Sequence, residues 1–106
     1  MLDDLDSEHL LSDERFTEAY VRHRAAAGYG PLRIQRELQQ RGVDAALIAS
    51  GLEVYAGEWP ERAAAARHKR FGDHRPEGFR ERARQARFLE YRGFTAEHIR
   101  AALSED

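Results

Sequence analysis

The stretch Leu38-Gln39-Gln40-Arg41-Gly42-Val43-Asp44-Ala45-Ala46-Leu47-Ile48-Ala49-Ser50-Gly51-Leu52 returns in altered form fifty-one residues later. The second copy is Leu89-Glu90-Tyr91-Arg92-Gly93-Phe94-Thr95-Ala96-Glu97-His98-Ile99-Arg100-Ala101-Ala102-Leu103. Each copy reads as a helix end, a tight corner and a helix start. Arg41 and Arg92 place a cation at the negative end of a helix, which assigns them to helix termini rather than to a partner. Gly42 and Gly93 suit the left-handed position where a side chain would be strained. Val43 and Phe94 follow as apolar plugs, and Asp44 and Thr95 offer side-chain oxygens to the free N–H groups of the next helix. The chain is therefore a repeat of helical units.

Working outward, a helix is expected over residues 13–27, with Ser12 as its N-cap and Phe16, Ala19, Tyr20, His23 and Ala27 at helical spacing. Gly28-Tyr29-Gly30-Pro31 turns the chain into a second helix, 31–41, whose Ile34 and Leu38 face inward with Leu32 flanking. A third, 44–56, presents Leu47, Ile48, Leu52 and Tyr55. The plan then recurs over 60–71, an alanine-rich run, over 77–92 with Phe79, Ala83, Ala86 and Leu89 inward, and over 95–103 with Ile99 and Leu103 inward. No segment alternates with period two, so no sheet is expected.

The expected fold is all-α: tandem three-helix repeats in an elongated helical array. Residues 1–11 form the tail of an incomplete preceding repeat, 12–57 one repeat and 58–106 another. A unit of about 45 residues buries too little apolar surface to stand comfortably alone, so the two should share a seam. Tyr55, Trp59 and Phe71 are its aromatic candidates, Phe71 fitting its own unit slightly better.

Composition narrows the chemistry. The absence of Cys excludes a disulfide framework, a thiolate zinc site and a cysteine nucleophile. The acidic N-terminus lacks a signal peptide's basic and apolar segments, and no apolar run is long enough to span a bilayer, so a cytoplasmic protein is expected. There is no nucleophile elbow and no Gly-rich phosphate loop after a strand, and His23, His68, His74 and His98 are scattered without metal-ligand spacing. Neither catalytic residues, metal nor cofactor is expected.

Charge is polarised. Residues 1–20 hold seven acids against Arg15 alone, whereas 62–92 hold ten Lys or Arg against four acids. Such asymmetry points to an acidic protein surface or a polyanion as partner, or to an ordinary solvated face. Residues 30–44 have the outline of a helix-turn-helix, but its reading helix would carry Asp44, Ala45, Ala46 and Ala49. These offer almost nothing to a base edge, and sequence-specific DNA reading is not expected.

Four blocks carry a resemblance. Asp13 through Arg24, Gly28-Tyr29-Gly30-Pro31-Leu32-Arg33-Ile34, Leu38 through Asp44, and Arg84 through Leu89 with Tyr91-Arg92-Gly93-Phe94 together resemble the RecX family, in order, over residues 12–103. The resemblance implies a non-enzymatic regulator that binds the RecA recombinase or the RecA–DNA filament along its groove, and a monomer is expected. It also implies suppression of strand exchange, ATP hydrolysis and co-protease activity. Family members commonly have three repeats. The candidate contacts are exposed cations: Arg22, Arg24, Arg33, Arg36, Arg67, Lys69, Arg70, Arg82, Arg84 and Arg87. The alternatives are an autonomous, non-sequence-specific DNA-binding module using the same cations, and a helical scaffold with an unrelated partner.

Overall fold

The computed structural model describes residues 2–73 and 75–104, with residues 2–11 described for their helical backbone alone. The side chains before Ser12, and His74, therefore lie outside the described residues. Among the described residues six helices follow in order: α1 (Leu2–Ala26), α2 (Pro31–Gln40), α3 (Ala45–Glu53), α4 (Trp59–Phe71), α5 (Gly78–Arg92) and α6 (Ala96–Ser104). Among the described residues there is no strand. The molecule measures 63 × 20 × 18 Å.

The repeated corner forms as its chemistry requires. Gly42 and Gly93 take φ of +83° and +101°. The Asp44 carboxylate accepts from the Ala46 N–H at 3.0 Å and starts α3. At α6 the cap is reciprocal. Thr95 Oγ1 accepts from the His98 N–H at 3.2 Å, and His98 Nδ1 accepts from the Thr95 N–H at 3.3 Å. Here an imidazole fills the place that Glu or Gln takes in a capping box. Val43 is half-buried, whereas Phe94 is buried.

In the first trio α1 lies along α3, and in the second α4 lies along α6. One apolar core runs through both, from Val21, Ile34, Leu38 and Ile48 through Trp59 and Ala63 to Leu89, Phe94 and Ile99. Trp59 is buried and meets Tyr55 at 5.7 Å between rings, bridging the two trios. Phe71 meets Phe88 edge-on at 5.4 Å within the second trio.

Four expectations need correction. First, α1 does not start at residue 13. Ser12 lies inside a 25-residue helix, because no Gly or Pro interrupts residues 2–26 and an N-cap requires non-helical backbone that nothing here imposes. Second, its buried stripe is Thr17, Val21 and Ala25, whereas Phe16 and His23 are exposed. Small Thr17 lets α1 approach Gly51 of α3, while the Phe16 and Tyr20 rings lie under the Arg41 guanidinium at 5.4 and 5.2 Å. Third, α3 ends at Glu53 rather than 56, since Tyr55 and Ala56 tighten into i→i−3 hydrogen bonds. Fourth, Phe79 is 87% exposed. From the corner at Gly93, α5 has 15 residues against the 9 of α6, and Arg82 already meets the Leu103 carbonyl near the end of α6, so Phe79, one turn earlier in α5, has little of that helix to pack on.

A candidate partner-binding face around an arginine and tyrosine seam

The two trios are joined by backbone. Pro31 opens α2 and leaves Gly30 extended before it, so the Gly30 N–H donates to the Arg92 carbonyl at 2.8 Å. The Leu32 N–H donates to the Gly93 carbonyl at 2.9 Å. The second trio's corner thus sits on the α1–α2 corner of the first. The approach is possible only without side chains: a Cβ at Gly30 would stand 2.5 Å from the Gly93 carbonyl, and one at Gly93 would strike Arg33.

Arginines then cross the seam in both directions. Arg33 of α2 donates through Nη1 to the Tyr91 carbonyl at the end of α5, at 3.3 Å. Returning from the second trio, Arg62 donates to the Ala25 carbonyl at 3.3 Å and Arg92 to the Ala27 carbonyl at 3.2 Å, both at the end of α1. A guanidinium set against terminal carbonyls satisfies acceptors the helix itself cannot, and suits the negative end of its dipole.

Tyr29 is the centre of this face. Its ring carries the Arg24 guanidinium at 3.9 Å and those of Arg33 and Arg92 at 4.7 Å. Arg33 also covers the Tyr91 ring at 5.0 Å. Three cations around one ring would repel one another, and Glu37 offsets this. Its carboxylate accepts from Arg24 Nε at 3.0 Å and Nη2 at 2.8 Å, from Arg33 Nε at 3.2 Å, and from the Tyr20 hydroxyl at 2.8 Å. Burial pushes the Glu37 carboxyl up, but the hydrogen bonds from Arg24, Tyr20 and Arg33 outweigh it and hold the group below its ordinary value. The bond to Glu37 holds the Arg24 guanidinium above its own. Burial, then the bond to Glu37, pushes the Tyr20 hydroxyl up.

The ten cations singled out from the sequence fall into different surroundings. Arg24, Arg33 and Arg67 are half-buried and serve the fold, the first two through Glu37 and the third through the buried Gln85, whose Oε1 accepts from Arg67 Nη1 at 3.4 Å. Arg82 is exposed but donates to the Leu103 carbonyl at 3.4 Å. Arg70 and Arg84 flank the Phe71 ring at 5.5 and 5.0 Å, with Arg84 also 3.8 Å from Glu81. Arg22, Arg36, Lys69 and Arg87 point to solvent. Exposure was thus misjudged for Arg24, Arg33 and Arg67, because helical spacing tells which residues share a face but not which neighbouring element covers it.

The gathering of Tyr29, Glu37 and Arg92 at the seam is not evident from the sequence spacing. The aromatic between two glycines in Gly28-Tyr29-Gly30 was the available signal, since such a residue has little local helix to serve. Among the described residues no group of three or more His, Cys, Asp or Glu gathers as a metal site would. No described helix is long and apolar enough to cross a membrane.

Comparison with known proteins agrees with this organisation. Residues 12–52 match the second three-helix domain of RecX, and 58–103 the third. The chain is 45% identical over 103 residues to the regulatory protein RecX of Pseudomonas entomophila, covering 97% of this chain and 66% of that protein. It is 47% identical over 102 residues to the protein of the same name from Halorhodospira halophila, covering 96% of this chain and 63% of that one. The chain thus spans just under two thirds of the length of these relatives.

Proposed function

The chain belongs to the RecX family, and on that premise we propose that it binds the RecA recombinase or its DNA filament and restrains it without catalysis of its own. The observation that carries the reading is the ordered match of both trios to RecX domains, in a chain whose trios are locked by a two-way seam. A rod 63 Å long with fixed cations meets a helical filament along a groove, where a flexible pair of modules would lose ordering entropy on binding. Exposed Arg22, Arg36, Lys69, Arg70, Arg84 and Arg87 supply steering toward acidic protein surface and DNA phosphate. The setting is the bacterial cytoplasm, and the outcome is reduced strand exchange, ATP hydrolysis and co-protease activity during DNA repair.

The test is ATP hydrolysis by RecA on single-stranded DNA with increasing amounts of the protein. Hydrolysis should slow; no slowing at any excess, together with no co-sedimentation with filaments, sinks the reading. Reversing Arg84 and Arg87 to Glu should weaken inhibition while circular dichroism stays unchanged. The second reading, autonomous DNA binding, draws on Arg70 and Arg84 flanking one aromatic ring. Binding to DNA without RecA that falls steeply with salt would favour it.

A further inference from the structure

Large apolar side chains rarely stand in water beside an apolar hollow unless something covers them. Phe79 of α5 is 87% exposed and Leu32 of α2 47%. Between them α5 and α6 enclose a groove of about 610 Å³, walled by Ala83 and Ala86 on one side and by Ile99 and Leu103 on the other. The groove runs along both helices, from Phe79 and Leu103 at one end to Glu90 and Ala96 at the other.

Its charge is one-sided. Arg82 and Arg100 line the apolar groove with Glu90 as their counterweight. The groove continues into a cleft that shares Leu32, Glu90 and Phe94 and adds Arg33, Arg36 and Glu37, so that four arginines face two carboxylates. Arg33 is engaged by Glu37, but among the described residues neither Arg36 nor Arg100 has an acidic partner. Excess positive charge around an apolar floor selects an amphipathic segment with apolar residues on one face and acids beside them. The trough between two helices takes a helix, and no described sheet edge is present to take a strand.

We propose that this groove is the docking site for an acidic amphipathic helix on the partner protein, with Phe79 and Leu32 closing over its apolar anchors and Arg100, Arg82 and Arg36 facing its acids. This rests on the regulatory reading above and names the chemistry of the contact. It also accounts for why the most exposed large apolar residue among the described residues sits on this face.

The experiment has two arms. The first uses a synthetic helical peptide with Leu at positions i, i+4 and i+7 and Glu on the flanks, a second peptide with Lys in place of Glu, and amide chemical shifts of the whole chain. The Glu peptide should shift α5, α6 and Leu32. It should bind about tenfold more weakly to Phe79→Asp and to Arg100→Glu, as for loss of an interface anchor. The exposure of both positions lets both variants fold, which circular dichroism checks. No binding, binding unchanged in Phe79→Asp, or equal binding of the Lys peptide overturns the proposal. The second arm is co-sedimentation with RecA filaments. Phe79→Asp should lose about tenfold in affinity, and unchanged affinity overturns the groove as the partner contact. If the wild type binds the Glu peptide but not filaments, the groove stands and the RecA reading falls. Self-association of the chain that Phe79→Asp abolishes would make a second copy the occupant and overturn the proposal.

Discussion

The corners Arg41-Gly42-Val43 and Arg92-Gly93-Phe94 share their local chemistry and differ in what surrounds them. Both glycines adopt positive φ, both follow an arginine, and both precede a plug and a capped helix. Around Gly42 an added Cβ would meet nothing within 4 Å, while around Gly93 it would collide with Arg33. The first corner turns the chain and stops there. The second turns the chain and also joins the two trios, because its carbonyls accept from Gly30 and Leu32. A local signal thus specifies a corner, and its partner in space decides whether that corner is also a joint.

The largest expected break in this comparison is at the plugs. Phe94→Ala should cost about 4 kcal/mol by emptying a buried site, against about 1 kcal/mol for Val43→Ala, where a half-buried side chain loses two methyl groups. Urea denaturation of both variants checks it, and equal losses would mean the two plugs carry equal loads.

Next come the glycines. Gly93→Ala should cost about 3 kcal/mol, combining positive-φ strain with overpacking. Gly42→Ala should cost about 1 kcal/mol, from strain alone. Amide exchange should show the Gly93 variant opening at the Gly30 and Leu32 N–H groups, and the Gly42 variant leaving these protected.

The cluster beside the seam should respond less. Glu37→Ala removes the acceptor of Arg24, Arg33 and Tyr20 and should cost about 2 kcal/mol, as for hydrogen bonds to a charged group. The same carboxyl is held below its ordinary 4.5 in the folded state, so the unfolded chain takes up the proton first. Its contribution is complete above pH 4.5 and disappears as pH falls through the lowered value. Thermal melts of the wild type in acid should lose stability there, and Glu37→Gln should lose less over that interval.

The smallest effect belongs to the second corner's cap. Burial lowers the His98 imidazole below its ordinary 6.5, with Glu97 opposing. The folded state therefore prefers the neutral ring, whose Nδ1 accepts from the Thr95 N–H. This stability is complete above pH 6.5 and declines as pH falls through the lowered value. His98→Gln keeps an acceptor at that place and should flatten the decline by about 0.5 kcal/mol.

Much of the fold was legible because corners announce themselves through residues with few alternatives: glycine for positive φ, an oxygen-bearing residue for a cap, proline for a first turn. Burial was less legible. The spacing of Phe79 matches that of Leu89, yet Leu89 is fully buried and Phe79 stands in solvent, since only the backbone shows that α6 ends too soon to cover it. Likewise Arg22 and Arg24 read alike along α1, but only Arg24 reaches Glu37. Of the candidate site, the abundance of arginine was visible in advance. Its division between helix-end carbonyls, aromatic rings and open solvent was not.

The sequence by itself determined the corners at Gly42 and Gly93, because capping and left-handed glycine are satisfied within a few residues and need no distant partner. It also determined the order of the two units, through a repeat at fixed offset. Only the tertiary structure decided that Gly93 meets Gly30, that three guanidiniums gather on Tyr29, and that Phe79 faces an open groove. Each of these depends on lengths and directions of elements far apart in the chain, and such distances are set by packing rather than by any local preference.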